Sequence, residues 1–309
     1  GPSISSGDVN NDNLEDVFIG GAKGQAAQLF IQNNNRYKKK LNKVFLEDAD
    51  YEDMESLFID IDGDNDQDLY VVSGGNEFNQ RSENLKDRIY LNDGNGNFSR
   101  SNQSEISDYT ISGKTVSKID FDKDGDQDLI VGNRIIPQNY PIHEPSILYE
   151  NVNGIFKNVT YKIAPEFENF GIVNKVITTD INNDGWEDFI SVGEWTNIGI
   201  FINNKGVFKN TANQSNLEDL YGWWFDIQET DVNNDGFKDY VIGNIGTNSK
   251  YKTNKTKPLK VFADDLDENG THDLVLSYVY KNEYVPFRGK ECSTQQMPFI
   301  AEKIPTFNE

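Results

Sequence analysis

The sequence predicts an all-β protein built from repeated four-stranded antiparallel units. Three observations carry this reading. A nine-residue acidic pattern recurs six times, short runs of β-branched and aromatic residues flank each copy, and a turn-forming signature follows about 20 residues later.

The six copies occupy residues 8–16 (DVNNDNLED), 60–68 (DIDGDNDQD), 120–128 (DFDKDGDQD), 180–188 (DINNDGWED), 231–239 (DVNNDGFKD) and 265–273 (DLDENGTHD). Successive copies start 52, 60, 60, 51 and 34 residues apart. Runs such as Ser56-Leu57-Phe58-Ile59 precede a copy, and runs such as Asp68-Leu69-Tyr70-Val71-Val72 follow one. Four to six β-branched and aromatic residues bounded by Gly and Asn read as strands. The later signature pairs two more apolar runs through Asn- and Gly-rich turns, as in Ile89-Tyr90-Leu91, Asp93-Gly94-Asn95-Gly96 and Phe98. Such turns between apolar runs are the strongest short-range hairpin signal. Each unit is therefore strand, acidic loop, strand, connector, strand, turn, strand, which is the pattern of a β-propeller blade.

Residues 1–288 are expected to form the blades, and residues 289–309 an irregular or partly helical extension. The 34-residue fifth interval is too short for a full outer hairpin, so five recognisable blades and an irregular sixth are expected. The opening Gly1-Pro2 resembles the remnant of a cleaved tag, and the chain is read as a piece of a larger parent protein.

With 51 Asp+Glu against 29 Lys+Arg, the formal charge of −22 opposes a nucleic-acid partner or an anionic membrane surface. No apolar stretch approaches membrane-spanning length, so direct membrane insertion is not expected. One cysteine, Cys292, excludes an internal disulfide and reads as a small buried residue.

Positions 1, 3, 5 and 9 of every copy are Asp or Asn, the alternation a tight loop needs to converge oxygens on one hard cation. These are Asp8, Asn10, Asp12 and Asp16; Asp60, Asp62, Asp64 and Asp68; Asp120, Asp122, Asp124 and Asp128; Asp180, Asn182, Asp184 and Asp188; Asp231, Asn233, Asp235 and Asp239; and Asp265, Asp267, Asn269 and Asp273. Position 6 is always Asn or Gly, residues that tolerate a left-handed turn. Position 7 varies freely (Leu14, Asp66, Asp126, Trp186, Phe237, Thr271), as suits a ligand supplied by the backbone carbonyl. Four side chains, a carbonyl and water meet the six to eight oxygens Ca²⁺ takes, whereas Mg²⁺ demands stricter octahedral geometry. An EF-hand would need Glu at position 12, where Ile19, Val71, Val131, Ser191, Ile242 and Leu276 stand instead. Up to six Ca²⁺ are expected, and six would take the formal charge from −22 to −10.

These repeated D-x-[DN]-x-[DN]-[GN]-x-x-D loops between short strands resemble the FG-GAP/VCBS repeats of integrin α-subunit propellers and of large bacterial surface proteins. The resemblance implies calcium in the loops joining the first two strands of each blade, and typically a ring of seven blades. Six copies leave open whether this ring is complete. It also implies a binding role, since family members recognise proteins or glycans and a few propeller relatives cleave polysaccharides.

A ligand is expected on the face opposite the acidic loops, where the longer connectors emerge. They hold Arg88 in residues 74–88, and Arg134, Tyr140 and His143 in residues 133–146. Trp195 follows, and then Tyr221, Trp223 and Trp224; of the last two, one is expected in the core. The leading expectation is a non-catalytic, calcium-stabilised interaction module of a secreted or cell-surface bacterial protein, with a protein or glycan ligand. Weak calcium sites fill where calcium is millimolar, which favours an extracellular setting. Two alternatives stand beside it. One is a polysaccharide lyase or hydrolase using His143, Tyr140 and Arg134 as base, acid and charge neutraliser; the other is an architectural subunit of a surface complex. Two His, one Cys and no nucleophile or phosphate-loop motif weigh against an enzyme.

Overall fold

Each acidic loop is the turn between two antiparallel strands, and the loops thereby set the frame of the chain. A computed structural model describes residues 3–217, 219–246 and 248–303. Four sets of four strands pair in chain order, the first three as separate four-stranded sheets and the fourth as part of a six-stranded one. They are β1–β4 (Ile4–Gly7, Asp16–Ile19, Gln28–Asn33, Arg36–Lys40), β5–β8 (Asp53–Ile59, Asp68–Ser73, Arg88–Leu91, Ser99–Ser101), β9–β12 (Gly113–Ile119, Asp128–Asn133, Ile147–Val152, Ile155–Asn158) and β13–β16 (Ile172–Thr179, Asp188–Thr196, Gly199–Asn203, Phe208–Asn210). Strands β17 (Gly222–Thr230) and β18 (Asp239–Asn244) form the fifth repeat as a two-stranded hairpin. The chain divides into two compact units, and all of these strands belong to the first, which comprises 1–137 and 142–244.

The second strands β6, β10 and β14 are buried on both faces, which explains their unbroken apolar runs. Alternate side chains point to opposite sides. Leu69 and Val71 join Phe18, Leu29 and Phe45 from the first repeat in one core, while Tyr70 and Val72 join Leu129, Val131 and Tyr149 of the third in the next. Ile130 then packs with Phe189 and Phe201 of the fourth repeat, and Ile190 and Val192 with Ile227 of the fifth. The cores thus lie between successive sheets, and the first strands β1, β5, β9, β13 and β17 touch in chain order, a propeller-like stacking.

Strand β14 has nine residues where β6 and β10 have six. Its extra length carries Glu194 and Thr196 onto Trp223 and Gly222 of β17, joining repeats four and five in one sheet. The irregularity expected in the sixth repeat therefore already reaches the fifth: the 34-residue interval follows the fifth loop and leaves that repeat without its outer strands.

The second unit (138–141 and 245–309) contains β19 (Lys260–Asp264), β20 (Asp273–Tyr280) and β21 (Glu283–Pro286), with the sixth acidic loop between the first two. Two short helices follow, Lys290–Gln296 and Phe299–Lys303. Cys292 is exposed and not buried as its residue type suggested, because the helix that carries it has no buried side chain among its described residues. Among the described residues no helix is long and apolar enough to cross a membrane.

Candidate metal centres and an aromatic platform

The six loops share one hydrogen-bond scheme. The position-9 carboxylate accepts the position-2 N–H in every loop, at 3.2 Å (Val9 to Asp16), 3.0 Å (Ile61 to Asp68), 3.2 Å (Phe121 to Asp128), 2.9 Å (Ile181 to Asp188), 2.9 Å (Val232 to Asp239) and 3.2 Å (Leu266 to Asp273). Position 5 accepts the N–H of position 7, as Asp12 does from Leu14 and Asp184 from Trp186. In every loop but the third, position 1 accepts the N–H of position 6, as Asp60 does from Asn65 and Asp231 from Gly236. Position 6 has positive φ throughout, from 63° at Asn13 to 95° at Gly125, in line with its residue types. Position 4 is left-handed as well, at Asn11, Gly63, Lys123, Asn183, Asn234 and Glu268, and Lys123 and Glu268 carry no sequence signal for it.

This winding turns the carboxylates inward. Oxygens of Asp60, Asp62 and Asp68 lie within 4.8 Å of one another, as do those of Asp120, Asp122 and Asp128 and those of Asp265, Asp267 and Asp273. Loops one, four and five have Asn10, Asn182 and Asn233 at position 3, whose amides donate to Asp12, Asp184 and Asp235 at 3.2, 2.9 and 2.9 Å. The arrangement fits a hard divalent cation on an observation independent of the pattern. Oδ1 of Asp66, Asp120 and Asp126 is buried without a hydrogen-bond partner, a costly state that a cation would relieve. Asp66 and Asp126 stand at position 7, so in these two loops a side-chain carboxylate would be available to a cation beside the backbone carbonyl.

Electrostatics point the same way. Burial, followed by the charges of Asp64 and Asp62, pushes the Asp66 carboxyl up to about 6. Burial and Asp124 do the same to Asp126, also to about 6. Asp68 rises to about 7 and Asp128 to about 8 through burial, against the pull of two backbone N–H donors each.

One device was hidden in the outer turns. Asn92 Nδ2 donates to the Val9 carbonyl at 2.9 Å, Asn151 Nδ2 to Ile61 at 3.0 Å and Asn203 Nδ2 to Phe121 at 2.8 Å. Each asparagine thus ties the turn of its own repeat to position 2 of the preceding acidic loop. Asn recurring at the end of each third strand was the available signal; on its own it reads only as turn chemistry.

At the far end of β14, six residue steps or about 20 Å from its acidic loop, the ligand-face candidates partly converge. The Trp195 and Trp223 rings lie 5.2 Å apart at 38°. Trp195 occupies a bulge with φ of 60°, a left-handed backbone that is a real outlier for a bulky side chain. Next to it, Glu194 accepts from Arg134 Nε at 3.1 Å and Nη2 at 2.8 Å. Tyr221, just before β17, is 69% exposed. Trp224 turns the other way and packs against the core of Ile190, Val192 and Ile227, with its ring folded over Gly222, where a Cβ would come within 2.3 Å. His143 pairs through its backbone with Ile135, on the same connector as Arg134. Tyr140 belongs to the second unit. Arg88, one of the connector residues expected on the ligand face, is instead buried against Asp53.

Stacked antiparallel sheets with one acidic loop per repeat define a propeller-like repeat protein with candidate cation sites. Residues 60–131 and 180–242 match the model of the FG-GAP-like repeat, so the chain carries FG-GAP-like repeats over these two segments. No curated protein matches it. Among solved structures it is similar to rhamnogalacturonan lyase YesW, at 11% identity and a TM-score of 0.43, covering 91% of this chain and 56% of the lyase. Exotype rhamnogalacturonan lyase YesX gives 14% identity and a TM-score of 0.40, covering 84% and 54%. The chain thus spans just over half the length of either lyase.

Proposed function

We propose that this chain is a calcium-stabilised interaction module of a secreted or cell-surface protein, and that it binds a glycan or protein partner without catalysis. The reading rests on the platform at the end of β14, where Trp195 is held in a left-handed bulge against Trp223 beside the Arg134–Glu194 pair. Backbone strain at an aromatic pair is a cost that packing alone does not call for, and aromatics with arginine are enriched at recognition sites. The loop residues named above would hold calcium, which would supply positive charge at the convergent oxygens and fix the strand ends. The rest of a larger parent protein would attach the module to its surface.

The test is binding of the chain to glycan and surface-protein arrays in millimolar calcium, repeated with Trp195→Ala, Trp223→Ala and Arg134→Ala. A ligand whose binding all three substitutions weaken supports the reading. A ligand bound equally by all three variants, or an unsaturated product from an acidic polysaccharide, overturns it.

A further inference from the structure

Every complete repeat is closed by its third strand in the same way. That strand reads aliphatic, aromatic, any residue, then Asn or Gln: Leu29-Phe30-Ile31-Gln32, Ile89-Tyr90-Leu91-Asn92, Leu148-Tyr149-Glu150-Asn151 and Ile200-Phe201-Ile202-Asn203. The aromatic residue pairs with the residue that follows position 9, namely Val17, Leu69, Leu129 or Phe189. The backbone N–H of the last residue donates to Oδ1 of the position-9 aspartate, at 2.7 Å (Gln32 to Asp16), 2.8 Å (Asn92 to Asp68), 2.8 Å (Asn151 to Asp128) and 2.7 Å (Asn203 to Asp188). In repeats two to four the Asn side chain also holds the position-2 carbonyl of the preceding loop.

The fifth repeat has every acceptor of this arrangement and no donor among the described residues. Among the described residues, no strand pairs with the outer edge of β18 over 239–243, no N–H reaches Asp239 Oδ1, and no group donates to the Ile181 carbonyl, the position-2 group of the fourth loop. The side chain that an outer hairpin covers elsewhere is also less covered. Ile181 at position 2 of the fourth loop is only half-buried, whereas Val9, Ile61 and Phe121, each covered by the outer hairpin of the next repeat, are 0%, 2% and 4% exposed. The chain between β18 and β19 contains no aliphatic–aromatic–x–Asn run to fill the place.

We propose that the edge of β18 accepts a β-strand from a partner polypeptide, one reading aliphatic–aromatic–x–Asn and followed by a tight turn. An exposed edge presents unpaired backbone groups to an incoming strand, and main-chain hydrogen bonds then supply affinity while side-chain positions supply selectivity. The four internal third strands specify what those positions ask for. The aromatic lies opposite Tyr240, the Asn N–H caps Asp239, and the Asn side chain reaches the Ile181 carbonyl.

The experiment uses the full chain in excess calcium chloride and a fluorescently labelled peptide with the sequence of residues 199–210, GIFINNKGVFKN. Fluorescence anisotropy is expected to show saturable one-to-one binding, and hydrogen exchange to slow at residues 240–243. Replacing the peptide's Asn corresponding to Asn203 by Ala is expected to weaken binding about fivefold, the loss of roughly one hydrogen bond. A scrambled peptide is expected not to bind. The proposal is overturned by absence of binding, by protection confined to other strands, by equal binding of the scrambled peptide, or by protection of residues 240–243 arising from dimerisation of the chain without peptide.

Discussion

Asn151 and Ile61 stand in different repeats, and the Asn151 side chain donates to the Ile61 carbonyl at 3.0 Å. The same side chain accepts the Gly154 N–H at 2.8 Å, and the backbone N–H of Asn151 caps Asp128, so one residue organises a turn and fastens two acidic loops. Asn151→Ala leaves the buried Ile61 carbonyl and the half-buried Gly154 N–H unpaired and is expected to lower the unfolding free energy by about 2–4 kcal/mol. Asn213→Ala, at an exposed position, is expected to stay within about 0.5 kcal/mol of the parent. Urea titration followed by circular dichroism measures both.

Calcium dependence separates the loop positions. Elemental analysis is expected to find up to six calcium ions per chain, and chelation to lower the melting temperature. A single site at a hundredfold excess over its dissociation constant contributes about 2.7 kcal/mol. Asp122→Asn is expected to retain the third ion, since Asn10, Asn182 and Asn233 fill the same position in other loops. Asp122→Leu is expected to lose it, and equal calcium content in the two variants would refute the assignment of position 3.

Asp87 lies away from the loops and offers a clean pH dependence. Burial pushes its carboxyl up to about 7, although the Ser73 N–H and the Tyr70 hydroxyl donate to it and Arg88 is near. The folded state therefore favours the protonated acid. That contribution is complete below the unfolded value near 3.9 and is lost as pH rises through 7. Asp87→Asn keeps an acceptor and cannot ionise. Its stability relative to the parent is expected to rise between pH 4 and 7, by at most about 1.4 kcal/mol per unit, and to level off above. Paired thermal melts in calcium across this range give the difference, and a flat difference contradicts the assignment.

Trp195 combines an unfavourable backbone with a candidate contact surface, and two substitutions divide them. Trp195→Gly and Trp195→Ala both remove the ring facing Trp223, so both are expected to lose ligand binding. Only Gly relieves the positive φ, and it is expected to be about 1 kcal/mol more stable than Ala. Chemical denaturation ranks the two.

The acidic loops and the strands around them were legible because their information is local: carboxylate spacing, a turn residue at position 6 and apolar alternation sit within nine to twenty residues. What escaped was long-range or backbone-held. Lys123 and Glu268 adopt left-handed conformations imposed by the winding of the loop. Arg88 looked like a surface cation until Asp53, 35 residues away, buried it. Trp223 and Trp224 are adjacent and chemically alike, and strand alternation sends one to the platform and the other to the core. The short interval after the fifth loop announced a missing hairpin, but the pairing of β14 with β17 had no local signature.

That pairing gives the first unit an uneven mechanical character. Neighbouring repeats among the first four meet through side-chain packing, whereas the fourth and fifth share a backbone ladder at Glu194–Trp223 and Thr196–Gly222. A pulling force applied at the two ends of this unit would peel its leading repeats away singly, and the last two would yield together as one larger extension step.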